Sequence, residues 1–168
     1  MDVTTFYALF SATCFTLLGL WWTVVQRHEE WLRNAEQRAV VGGVYLSFLL
    51  PALMGLFAQV GGTETPAIWR VSFVGIAVVG GVSTVRLLRR SRTRAGPQGP
   101  LMRHQWVVVV VYALVAVIGA APELASPLQI APIQAEAVLL ILLVLIAHGL
   151  VWEFMVSAAD DATVDPAA

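Results

Sequence analysis

Apolar positions in this chain come in long unbroken runs and do not alternate with polar ones. The first run, Val3 to Val25, has no residue charged at neutral pH and contains the single Cys14. At about 1.5 Å of rise per residue, a helix of that length crosses the roughly 30 Å of hydrocarbon in a bilayer. Further runs extend from Ala39 to Val60, Val71 to Val85, Trp106 to Pro122 and Ala137 to Ala158. The block Val107 to Val111 would suit a buried strand in a water-soluble protein. In lipid, an isolated strand leaves its backbone N–H and C=O groups unpaired at several kcal/mol each, so the block is read as helix. The shortest run, Val71 to Val85, contains Gly80-Gly81 and is bracketed by Arg70 and Arg86. Those long side chains can reach opposite headgroup layers, which lengthens the usable span to roughly 20 residues. The pattern predicts an all-α polytopic integral membrane protein. Five transmembrane helices, over about 3–25, 39–60, 67–88, 105–122 and 135–157, form a single domain, 1–158, followed by an acidic tail, 159–168.

Charge orients these helices. All ten basic residues are Arg; Arg27, Arg33 and Arg38 follow the first helix, and Arg86, Arg89, Arg90, Arg92, Arg94 and Arg103 follow the third. Only Arg70 lies elsewhere. Because basic loops stay on the cytoplasmic side, the expected topology in the cell membrane has an outside N-terminus and a cytoplasmic C-terminus. Arg86, Arg89, Arg90, Arg92 and Arg94 are then expected to contact anionic lipids. The three-residue spacing of Arg86, Arg89 and Arg92 also suits a voltage sensor. These residues lie beyond the apolar core, however, and helices one and two carry no intramembrane carboxylate to pair with them. Between Arg27 and Arg38, Glu29 and Arg33 have helical i to i+4 spacing, while Trp31, Leu32, Ala35 and Ala39 make an apolar edge. This predicts an amphipathic helical segment on the cytoplasmic surface.

Composition agrees, with a mean hydropathy of +0.77 and 58% hydrophobic against 12% charged residues, the balance of a chain solvated by lipid. Met1-Asp2 lacks the basic region of a cleaved signal peptide. The single Cys excludes an internal disulfide. The absence of Lys excludes a Lys Schiff base and its photochemistry.

Small residues recur on single helix faces: Ala8, Ala12, Thr16, Gly19 and Thr23 in helix one; Gly43, Ser47, Pro51 and Gly55, with Gln59 next, in helix two; Ala77 with Gly81 and Gly80 with Thr84 in helix three. Such stripes allow close backbone approach, within the chain or between subunits, or they line a polar pathway. Pro51 removes the N–H that the Ser47 carbonyl would accept, which predicts a kink. An odd number of spans does not divide into the two equal inverted halves common in secondary transporters.

No catalytic, cofactor-binding or metal-binding motif is present, so an enzyme is not expected. His28-Glu29 lacks the second His of a zinc-protease helix, since position 32 is Leu32. With helix five ending near Phe154 to Ser157, His104 and His148 differ in depth by about 10 Å, which disfavours a bis-His haem. His148 is the ionisable ring placed well inside helix five, and Glu153, five positions on, lies roughly 140° around the helix. The Pro-broken segment from Ala121 to Gln134 is expected against the outer surface, with Ser126-Pro127 and Ala131-Pro132 as helix starts. Outside, Glu64, Glu123 and Glu136 are candidate outer-mouth acids that would concentrate cations.

The function expected from the sequence is a homo-oligomeric ion channel or permeation subunit with cation preference. Its candidate pathway or gate residues are His148, Ser47, Pro51 and Gln59. The alternative is a non-catalytic accessory or scaffold subunit of a larger membrane complex. Expected partners are the bilayer, anionic lipids, and either further copies of the chain or a membrane partner protein; nucleic acid is not among them.

Overall fold

The computed structural model describes residues 2–61, 65–92, 106–124 and 130–164, with side chains except at 36, 90–92 and 157–164. Among these residues the chain is all-helical: α1 (Val3–Arg27), α2 (Glu30–Arg33), α3 (Ala35–Gly61), α4 (Pro66–Arg92), α5 (Trp106–Ala120) and α6 (Pro132–Val164). Four helices are long and apolar enough to cross a membrane, at Val3–Arg27, Gln37–Gly61, Pro66–Arg89 and Pro132–Val156. The chain is therefore a multi-pass membrane protein. The Val-rich α5 is helical and apolar but only 15 residues long, about 22 Å at helical rise. Pro132 opens α6, where its missing N–H costs nothing.

Successive long helices run antiparallel. Gly55 of α3 backs onto Ser11 and Tyr7 of α1, and the Trp21 indole N–H donates to the Val41 carbonyl at 3.3 Å. Gly61 lies beside Trp69 of α4, and Gly43 beside Leu87. Arg70 of α4 meets Gly119 of α5, while Gly80 abuts the Tyr112 ring. The last helix, α6, then returns alongside α1 and α3: the Tyr7 hydroxyl donates to the Ile133 carbonyl at 2.7 Å, and Phe48 packs edge-on to His148. Consecutive contacts close α3, α4, α5 and α6 into a ring, with α1 packed against α3 and α6. Arg27, Arg33, Arg38, Arg86 and Arg89 share one end of this bundle, and Arg70 lies at the far end.

The far half is filled by Tyr7, Met54, Phe73, Val115, Leu140 and their neighbours. A second cluster, with Trp21, Val25, Trp31, Val44, Phe48 and Ala147, packs nearer the Arg-rich end. Large apolar side chains also cover the outside, among them Leu20, Val71, Val138 and Leu145. Apolar surface over both the inside and the outside of a bundle is what lipid solvation requires.

Two local arrangements differ from the sequence reading. The amphipathic extension after α1 is reduced to the single turn of α2, and Trp31 turns inward, 4.9 Å from the Phe154 ring, with His28 stacked on it at 4.3 Å. Glu29 falls in the turn before α2, so the ion pair made there joins His28 to Glu30 at 3.1 Å. The Glu30 carboxyl is held below its ordinary range, first by its own backbone N–H and then by His28. At the far end, the Arg70 side chain is engaged by the neighbouring helix α5. Its Nε and Nη2 donate to the carbonyls of Gly119 and Ala120 at 3.0 and 2.9 Å. A cation there satisfies the orphan carbonyls of the short α5 and complements its dipole.

Gly80→Leu drives a side chain into the Tyr112 ring, whereas a side chain added at Gly19 meets nothing within 4 Å of its first carbon. Gly80→Leu should lower stability by about 1–3 kcal/mol, and Gly19→Leu should change it by less than about 0.5 kcal/mol. Unfolding of the monomer in detergent reads both, and equal losses would contradict this packing.

Candidate functional site

The ring formed by α3 to α6 is not filled evenly. Toward the far end its interior holds Met54, Phe73, Leu140 and Leu143. Toward the Arg-rich end, α3 turns Gly43 and Ser47 inward, and α4 turns Gly80, Ser83 and Thr84 inward. These side chains are too small to meet across the ring. They leave a cavity of about 580 Å³ with Leu50 and Tyr112 at its deep end and Arg38, Leu87, Glu153 and Phe154 toward the helix ends. That volume lies in the range of small-molecule sites, roughly 300–1,000 Å³.

The lining is mainly apolar, with polar groups at intervals. Ser47 Oγ donates to the Val44 carbonyl at 2.7 Å, and Thr84 Oγ1 donates to the Gly80 carbonyl at 2.8 Å. These bonds along the helix let hydroxyls stand in an apolar wall without desolvation cost. Ser83 and Tyr112 bring two further hydroxyl-bearing side chains, and Arg38 and Glu153 place both signs of charge near the mouth. Among the described residues, no three His, Cys, Asp or Glu side chains gather closely enough to hold a metal ion.

The four candidate pathway residues are not brought together. Ser47 lines the cavity. Pro51 is buried within α3, which continues helical through it. Gln59 sits toward the far end and donates to the Gly55 carbonyl at 3.3 Å. His148 lies on the exposed side of α6, where its Nδ1 bonds the Val144 carbonyl at 2.8 Å. That bond gives one ring nitrogen a partner within its own helix. Of the outer acids, Glu123 is exposed in the turn after α5. Glu136 is fully buried, near Gly119, and Glu64 lies outside the described residues. Arg86 and Arg89 are exposed at the Arg-rich end, where they border a groove of about 410 Å³ between α4 and α5, floored by Ala77, Gly81, Ala113 and Ala116. The side chains of Arg90 and Arg92, and Arg94 with His104, lie outside the described residues.

The stripes have different fates. Gly55 and Gly80 serve packing inside the chain, and Gly43 and Ser47 help to line the cavity. On α1, by contrast, Ala8, Ala12, Thr16, Gly19 and Thr23 are all exposed, and the inward face is Tyr7, Ser11, Cys14, Trp21 and Val25. Sequence reasoning finds Gly43, Ser47, Gly80 and Thr84 as separate stripes and misses that they face one another. It names Arg38 only as an orienting charge and misses Ser83 and Tyr112 altogether; the legible signal is Gly, Ser and Thr clustering at matched depth on two consecutive helices.

The chain matches no protein-family model, no curated protein and no solved structure.

If the cavity admits water from the Arg-rich end, Ser47→Cys and Thr84→Cys will react with a small polar thiol reagent, and the buried native Cys14 will not. Mass spectrometry reads the adducts. Protection of all three thiols alike would contradict an accessible cavity.

Proposed function

We propose that this protein is a permeation subunit of the cell membrane, passing a small cation through the interior of the α3 to α6 ring. The observation that carries this reading is the cavity of about 580 Å³ inside that ring, which serves as its cytoplasmic vestibule. Beyond the vestibule, Met54, Phe73, Leu140 and Leu143 form an apolar layer. An apolar constriction of this kind gates by excluding water, so the described conformation is a closed one. Cation preference rests on the Glu153 carboxylate at the mouth.

In this reading α5 is the fifth crossing, because it runs antiparallel along α4 and Arg70 closes its end. The Arg-rich end faces the cytoplasm, which puts the N-terminus outside. Exposed Trp22, Trp106 and Trp152 lie toward that end of their helices, at the level where aromatic side chains mark the lipid interface. Anionic lipids are held by Arg86 and Arg89 above the groove between α4 and α5. The outward stripe of α1 supplies the surface on which further copies assemble.

The same unpartnered stripe favours the second reading, an accessory or scaffold subunit whose α1 packs on a helix of a different protein. Reconstitution separates the two. The permeation reading expects cation flux in proteoliposomes, reduced about tenfold or more when Ser47→Phe obstructs the vestibule and unaffected by His148→Phe on the outer surface. Absence of flux from well-folded protein, together with a stoichiometric membrane partner, supports the scaffold. Tags at residues 1 and 168 should report opposite sides of the membrane, and tags on one side would contradict five crossings.

A further inference from the structure

Glu136 lies just beyond the first turn of α6, on the stripe that continues inward through Leu140, Leu143 and Ala147. It is the carboxylate with 0% exposure, and neither of its oxygens has a hydrogen-bond partner. Donors stand close by and are committed elsewhere. From α1, the Tyr7 phenol is near enough for charge on the two groups to interact, but its hydroxyl donates to the Ile133 carbonyl at 2.7 Å. From α4, Arg70 reaches the same corner, where Gly119 lies close to Glu136 Oε1, and directs its Nε and Nη2 to the carbonyls of Gly119 and Ala120. The α5 face offers Gly119, and the core of this half of the bundle, with Val115, Met54 and Ala58, is apolar. Asp2 and Glu123, the other described acids at this end, are exposed.

A carboxylate retained only to hold helices together would take one of these donors, because an enclosed, unpaired ionic group costs several kcal/mol. An intramembrane acid without a partner is instead placed for exchange. We propose that Glu136 is a proton-binding site inside the bundle, and that the Tyr7 to Ile133 hydrogen bond is the latch that encloses it. In the described conformation the carboxyl carries its own proton. When the start of α6 parts from α1, water enters from the far end, and the carboxyl gives its proton to that water or takes one from hydronium.

The site stands independently of permeation. A carbodiimide that modifies protonated carboxyls in apolar surroundings tests it on the full chain in lipid vesicles, with adducts located by mass spectrometry. The expected result is an adduct on Glu136 that declines by about tenfold per pH unit once the carboxyl ionises. Glu136→Gln should remove that adduct and leave labelling of Glu123 unchanged. Tyr7→Phe, which removes a hydrogen bond worth about 1 kcal/mol, should speed labelling roughly fivefold. No adduct on Glu136 at any pH, or complete protection by sodium or potassium at fixed pH, overturns the proton site; the latter makes it a metal-cation seat. An unchanged rate in Tyr7→Phe overturns the latch. An adduct in a protein that passes no flux upholds the site and counts against the permeation reading alone.

Discussion

Arg70 reaching across to the carbonyls of Gly119 and Ala120 shows most directly what lipid demands of this chain. Every backbone polar group inside hydrocarbon has to be satisfied by the protein, at several kcal/mol for each failure. Long helices meet that demand through their own ladders. The last turn of the 15-residue α5 has carbonyls that its own ladder cannot satisfy, and a guanidinium from the neighbouring helix meets two of them. The bracket of Arg70 and Arg86 around α4 thus has asymmetric uses: one residue closes a neighbouring helix and the other stands exposed at the Arg-rich end.

Lipid also removes the hydrophobic drive for helices to associate, leaving close packing and interhelical hydrogen bonds to hold the bundle. Gly55 lets α3 approach Ser11 of α1, whose hydroxyl donates to the Ala52 carbonyl at 3.1 Å. Gly80 admits the Tyr112 ring. The same residue types produce opposite results where they face one another without a large partner. Gly43 and Ser47 opposite Ser83 and Thr84 leave a cavity. One sequence device therefore builds both the tight contacts and the space that a functional reading needs.

Helix type, four of the long apolar helices and the common end of Arg27, Arg33, Arg38, Arg86 and Arg89 are legible in the sequence because they depend on local composition and on the length of apolar runs. The start of α6 at Pro132 is legible from the special tolerance of a first helical turn for proline. What escapes is rotation about each helix axis. Ala8, Ala12, Thr16, Gly19 and Thr23 form a stripe as regular as Gly43, Ser47, Pro51 and Gly55, yet only the second lies mainly against the rest of the chain. Nothing local distinguishes an inward small face from an outward one. His148 stands out in the sequence as a polar ring at depth, but a bond to Val144 within its own helix allows it to face outward. A place near a loop groups Glu136 with exposed acids, although helix phase turns it into the core. Trp31 belongs by spacing to a surface edge and is instead clamped by aromatic neighbours.

The central claim is that the ring formed by α3 to α6 encloses a water-accessible vestibule closed by an apolar layer. Spin labels placed singly along α3 in a bilayer test it most directly, through their relative accessibility to a polar relaxation agent and to oxygen. The account predicts access by the polar agent at positions 43 and 47, and exclusion of it at positions 54 and 58. Oxygen access without polar access at all four positions would contradict the vestibule.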